Sequence, residues 1–149
     1  MLSEDVAAFL QSGVAIMVAT RDGKLVPDLV RGFGAVVDPD RATVTLYLPD
    51  AVNARALGNL KADPRIAAVF CRPRDYQTYQ IKGRCIGTRP AGSVDRELQR
   101  RYCEEFFQAV REVGLAHPER WRYSPSTAVE LRVEEVFDQT PGPHAGTRR

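Results

Sequence analysis

The sequence predicts a mainly β domain with flanking helices, its six short strands closing as an antiparallel barrel. Three observations predict this class. Six runs of strand length are rich in β-branched and aromatic residues. They follow one another through short turns, without the strand–helix alternation of a parallel sheet. Six short antiparallel strands also leave exposed edges unless the sheet closes on itself. The 149 residues, 44% hydrophobic and 27% charged, are enough for one domain with a core that needs neither disulfide nor metal.

The elements follow in order. Ser3 is placed to cap a short helix, with Glu4 and Asp5 in its first turn, Val6, Phe9 and Leu10 on one side, and Gly13 at its end. Val14–Thr20 reads as the first strand, and Arg21-Asp22-Gly23-Lys24 as a turn with an Asp-Gly signal. Leu29–Val37 is the second strand. In the third, Ala42–Leu48, Val44, Leu46 and Leu48 alternate against Thr43, Thr45 and Tyr47. Ala51–Ala62 is expected to be helical, capped by Asp50 and stopped at Asp63-Pro64. Arg65–Arg72 is the fourth strand and Tyr76–Thr88 the fifth, where Gly83 and Gly87 predict a bend or bulge.

Ser93 is placed to cap the longest helix. Its apolar stripe is Val94, Leu98, Tyr102, Phe106, Ala109, Val110 and Val113, and Gly114 closes it. Residues 115–127 form a loop carrying His117, Trp121 and Tyr123, and Ala128–Phe137 is the last strand. The domain therefore spans 1–137, followed by an irregular tail over 138–149.

Composition limits the function. Net charge is +2 and pI about 8.5, which does not mark a nucleic-acid binder. The first apolar run has six residues, far short of a membrane span, and the acidic start does not suit a signal peptide. Three cysteines without CxxC spacing argue against a disulfide framework or a zinc site, so a cytoplasmic protein with reduced thiols is expected. Cys71 and Cys85 could face each other across neighbouring strands, although packed thiols are the stronger reading. No Ser–His–Asp, Cys–His, paired-carboxylate or metal-ligand pattern is present.

The 21 basic residues are 18 Arg and 3 Lys. Arg is the planar fork that suits phosphate, so the useful question is which few could hold one. Arg31 sits in an apolar strand beside Gly32 and Gly34, either as an anion anchor or as an edge residue paired or in water. Leu48-Pro49-Asp50-Ala51-Val52-Asn53-Ala54-Arg55 runs from strand end to helix start, where free amides, Asn53 and Arg55 could cradle a phosphate. Gln80 and Lys82 share one strand face and could serve the carbonyl edge of a heterocycle, or simply face solvent.

With these residues in view, the chain resembles the pyridoxamine 5′-phosphate oxidase-like flavoproteins, the FMN-binding split barrels. The likeness runs from about Leu2 to Phe137. It is carried by Arg31, Tyr47-Leu48, Asn53-Ala54-Arg55-Ala56-Leu57 with Leu60, Ala62-Asp63-Pro64-Arg65 and its apolar strand, and Ile81-Lys82-Gly83-Arg84. It implies a six-stranded split barrel, a homodimer with FMN at the interface, and oxidoreductase chemistry on a small molecule. By the same resemblance Arg31 and Arg55 would grip the FMN phosphate with Asn53 helping. Tyr47 and Leu48 would line the isoalloxazine, and Gln80 and Lys82 would lie on the strand that meets it. The positions Ala54-Arg55-Ala56 depart from the Ser-Arg-Lys of the oxidases proper, which points to a divergent subgroup. A non-enzymatic relative, or one holding haem or a deazaflavin, is the alternative the resemblance allows. No catalytic residue is assigned from the sequence.

Overall fold

A computed structural model describes residues 1–149. Its elements are α1 (Glu4–Leu10), β1 (Ala15–Arg21), β2 (Pro27–Gly32), β3 (Ala35–Val37), β4 (Thr43–Pro49), α2 (Ala54–Ala62), β5 (Arg65–Cys71), β6 (Thr78–Pro90), α3 (Ser93–Glu112), β7 (Ser126–Asp138) and β8 (Thr147–Arg148). Every ladder is antiparallel, in the order β2-β1-β5-β6-β7-β4-β3. Short turns join three of the six neighbouring pairs, β1–β2, β3–β4 and β5–β6, and there antiparallel pairing follows from the chain's local connections.

The predicted second strand is divided, and that division closes the barrel. Its first half, β2, pairs with β1, and its second half, β3, pairs with β4. Between them the Phe33 N–H donates to the Tyr47 carbonyl at 2.9 Å, and the Tyr47 N–H donates to the Gly34 carbonyl at 3.1 Å. Gly34 has φ +142°, and a Cβ there would stand 2.7 Å from the Tyr47 ring. Only glycine takes that conformation at such an approach without strain. There are thus eight strands rather than six: the break adds one, and β8 in the tail adds the other.

The β1 alternation sends Ile16, Val18 and Thr20 inward and Ala15, Met17, Ala19 and Arg21 outward. Strand β4 is buried on both faces. The three helices cover the inner residues that the sheet leaves open. Phe9 of α1 packs edge-on to Tyr79 at 5.0 Å, and Asn59 of α2 donates to the Thr20 hydroxyl at 3.1 Å. From α3, the Tyr102 hydroxyl donates to the Val14 carbonyl at 2.8 Å. Phe106 stacks on Trp121 at 5.5 Å with rings 13° apart.

Several boundaries differ for local reasons. Helix α2 begins at Ala54, not Ala51, because Asn53 turns its amide back to the Leu48 carbonyl and Asp50, both at 3.1 Å. Helix α3 is capped at Gly92 rather than Ser93, since the Asp95 carboxylate accepts the Gly92 N–H at 2.7 Å. Cys71 pairs with Thr78 at one end of the β5–β6 ladder, while Cys85 lies beyond the Arg65–Arg84 pair at the other. They do not face each other. Register shifts at Lys82/Gly83 and Cys85/Gly87 match the bulges that the glycines predict. The tail does not stay irregular: Thr140 is tied to Thr78, and β8 pairs with Phe137 and Asp138. No helix is long and apolar enough to cross a membrane.

Candidate cofactor site on the outer barrel face

The strand registers align the outward side chains of five neighbouring strands into rows. One row is Leu29, Ala19, Ala67, Lys82 and Glu135. The next is Arg31, Met17, Val69, Gln80 and Phe137, which β8 extends to Arg148. The middle of both rows carries Ala19, Ala67, Met17 and Val69, short or flexible apolar side chains, so it presents a low apolar floor. Cationic and amide groups stand at its ends. A cleft of about 350 Å³ opens on this face, floored by Ala19, Ala67 and Gly83 and rimmed by Arg21, Leu25, Arg65, Lys82 and Glu134.

Arg31 lies neither in open water nor against a carboxylate. Its guanidinium is half-buried, 4.7 Å over the Trp121 ring. Burial pulls its pKa down from the usual value, the mark of a cation short of counter-charge. Lys82 is exposed, with Nζ 4.7 Å over the Phe137 ring. The Gln80 side-chain oxygen accepts from Gln139 at 3.2 Å, which leaves its amino group free to donate. Gln80 and Lys82 therefore offer donors side by side on one face.

The other sequence candidates lie elsewhere. Tyr47 is 1% exposed and its hydroxyl donates to Asp95 at 2.9 Å. Burial and that carboxylate push the phenol pKa well up. Leu48 is wholly buried, and Asn53, 3% exposed, spends its amide on the β4–α2 turn. None of these three presents surface to a ligand within the protomer. Arg55 is largely exposed and lies 3.8 Å from Asp28. Asp28 and Arg31 leave β2 on opposite faces, so Arg31 and Arg55 approach that strand from different sides.

Sequence reading missed Arg21, Arg65 and Glu134 on the rim and Trp121 beneath Arg31. The signal for the floor was present: Ala15, Met17, Ala19 and Ala67, Val69 occupy the outward positions of two strands where a solvated barrel face carries polar groups.

A planar heterocycle fits what is present. The floor is low and apolar, the adjacent Gln80 and Lys82 donors suit a carbonyl edge, and Arg31 offers an anion its first charged partner.

The closed antiparallel barrel with a divided second strand and a ring-sized outer floor places the molecule among the split β-barrels. The chain belongs to the pyridoxamine 5′-phosphate oxidase family, whose model matches residues 2–140. No curated protein matches. Among solved structures, HupZ of Group A Streptococcus is 18% identical, with TM-score 0.59, covering 98% of this chain and 100% of its own. An F420 reductase is 15% identical, with TM-score 0.62, covering 91% and 98%. An FMN-binding protein from Syntrophomonas wolfei is 9% identical, with TM-score 0.53, covering 89% and 85%. At these identities the likeness is one of fold.

Proposed function

We propose that this protein is an FMN-binding oxidoreductase acting on a small molecule, with the flavin laid on the outer face of β1, β5 and β6. The observation that carries the reading is the pair of rows that brings Arg31, Gln80 and Lys82 onto one face floored by Met17, Ala19, Ala67 and Val69. Gln80 and Lys82 would donate to the carbonyl edge of the ring. Trp121 holds the Arg31 guanidinium in place for an anion. Arg55, at the first turn of α2 and on the other side of β2 from Arg31, is the alternative phosphate anchor. When bound, the flavin supplies hydride chemistry at its N5, and the chain supplies binding, orientation and charge. Leu29, 60% exposed at the end of one row, marks this face for cover by a second copy in a homodimer.

The test is the visible spectrum and mass of the native protein, followed by FMN titration of Arg31→Ala and Arg55→Ala. Loss of one charged hydrogen bond to phosphate costs roughly 1.5–3 kcal/mol of affinity. The two residues approach β2 from different sides, so the variants report separately which one meets the phosphate. A Soret band or a deazaflavin spectrum would replace FMN with another ligand. Absence of FMN binding, or unchanged affinity in both variants, would overturn the proposal.

A further inference from the structure

A third row crosses the outer face beside the cleft, and it is made of arginines. Arg65 stands opposite Arg84 on the β5–β6 ladder, and Arg84 stands opposite Arg132 on the β6–β7 ladder. Arg21, on β1, lines the same cleft as Arg65 and continues the row. Like charges placed directly across a ladder destabilise a sheet, and here three follow one another on adjacent strands. Acidic neighbours offset only part of this. Asp63 takes Arg21 at 2.6 Å and Glu134 takes Arg84 at 3.1 Å, while Glu135 stands opposite Lys82. Arg65 and Arg132 are exposed and form no salt bridge, although Arg65 adds to the positive field at the Asp63 carboxylate that Arg21 takes. The row therefore gathers more positive charge on this face than its carboxylates balance.

We propose that the row Arg65–Arg84–Arg132 is a diphosphate-binding site separate from the Arg31 and Arg55 anchors. The spacing selects the ligand. Neighbouring strands lie about 4.8 Å apart, so the outer two members of the row are separated by roughly 10 Å at the backbone. One phosphate can be forked by two adjacent arginines, whereas two linked phosphates can engage all three. The site goes beyond the flavin reading, since a flavin monophosphate on the apolar rows would leave it free. The diphosphate could belong to a dinucleotide form of the cofactor or to a separate nucleotide.

The experiment is calorimetric titration of the full chain with inorganic pyrophosphate and, separately, inorganic phosphate. Pyrophosphate should bind at least tenfold more tightly than phosphate. Arg84→Gln and Arg132→Gln, neither of which lines the cleft, should each weaken it roughly tenfold or more, with FMN affinity, read by flavin fluorescence, unchanged. Without ligand, the double variant should melt no lower than the parent, because removing like charges relieves the ladder. If ADP competes with pyrophosphate while FMN stays bound, the diphosphate comes from a separate nucleotide. If FAD displaces both, it comes from the cofactor. Equal affinity for pyrophosphate and phosphate, or undiminished pyrophosphate binding in the double variant, would overturn the site. Neither result bears on whether FMN itself binds, so the two proposals fail separately.

Discussion

Gly83→Ala and Gly58→Ala make the same chemical change with opposite consequences. A Cβ at Gly83 would stand 1.9 Å from the Arg132 carbonyl oxygen, 2.9 Å from that carbonyl carbon and 3.0 Å from a Leu131 methyl. Real Cβ atoms essentially never approach below 3.0 Å, so β6 and β7 must part by about 1 Å. The obstacle is backbone in the longest ladder of the barrel, and no side-chain rotation removes it. Overpacking costs about 1–3 kcal/mol, and each weakened ladder hydrogen bond adds about 1 kcal/mol. A total of roughly 3–5 kcal/mol is expected. At about 2–4 °C per kcal/mol for a domain of this size, Tm should fall by roughly 6–20 °C. Gly58 lies within α2 and is exposed, with nothing within 4 Å of an added Cβ. There alanine gains helix propensity of about 1 kcal/mol, and Tm should rise by roughly 2–4 °C. Thermal and urea unfolding followed by circular dichroism measures both. Gly83→Ala within about 1 kcal/mol of the parent would refute the close approach of β6 and β7 at the bulge.

Asp95 gives a pH dependence. Its carboxyl is held well below the usual range, first by the Arg89 guanidinium and then by the Gly92 N–H and the Tyr47 hydroxyl, against the opposing effect of burial. A depressed folded-state pKa contributes stability that is present above the unfolded value near 4 and is lost as pH falls through the folded one. Asp95→Asn should therefore destabilise the protein at pH 7 and flatten its stability profile below about pH 4. An unchanged acid limb in urea melts would contradict this. Burial pushes the Cys103 thiol up to about 12, and Cys71 and Cys85 are only half-buried. A thiol reagent at pH 8 should leave Cys103 unlabelled until denaturant is added, as mass spectrometry of the labelled peptides will show.

Much of the fold was legible because alternation and turn chemistry are local. The Asp-Gly turn, the bulge glycines of β6 and the Asp63-Pro64 stop each act within a few residues of chain. The apolar stripe read along α3 holds only in part: Tyr102, Phe106 and Val110 are buried, but Val94, Leu98 and Val113 are exposed, and Asp95, Gln99, Cys103 and Phe107 take the buried side in their place. The helix starts were less legible, because Asn53 and Asp95 fix them through side chains that bond backwards along the chain. The candidate site divided along the same line. Gln80 and Lys82 share a face by strand periodicity alone. Tyr47 and Leu48 were read as ligand-facing, but Leu48 lies in the core with Val44 and Leu46, and Tyr47 is buried with its hydroxyl on Asp95 at the start of α3. No property of the β4 sequence says that a helix lies there.

The sequence by itself determined an antiparallel β domain, the place of most strands, the glycine bulges, and membership of the pyridoxamine 5′-phosphate oxidase family. Tertiary structure alone decided which residues stand beside one another across strands. It split the second strand at Gly32-Phe33-Gly34, since the closing hydrogen bonds come from Tyr47 on another strand. It set Arg31 over Trp121, separated Arg31 from Arg55, and lined Arg65, Arg84 and Arg132 into one row. The physical reason is register. A strand's own pattern fixes which face a side chain takes, but not which partner stands opposite, and the charge and shape of a site on a sheet are made by those partners.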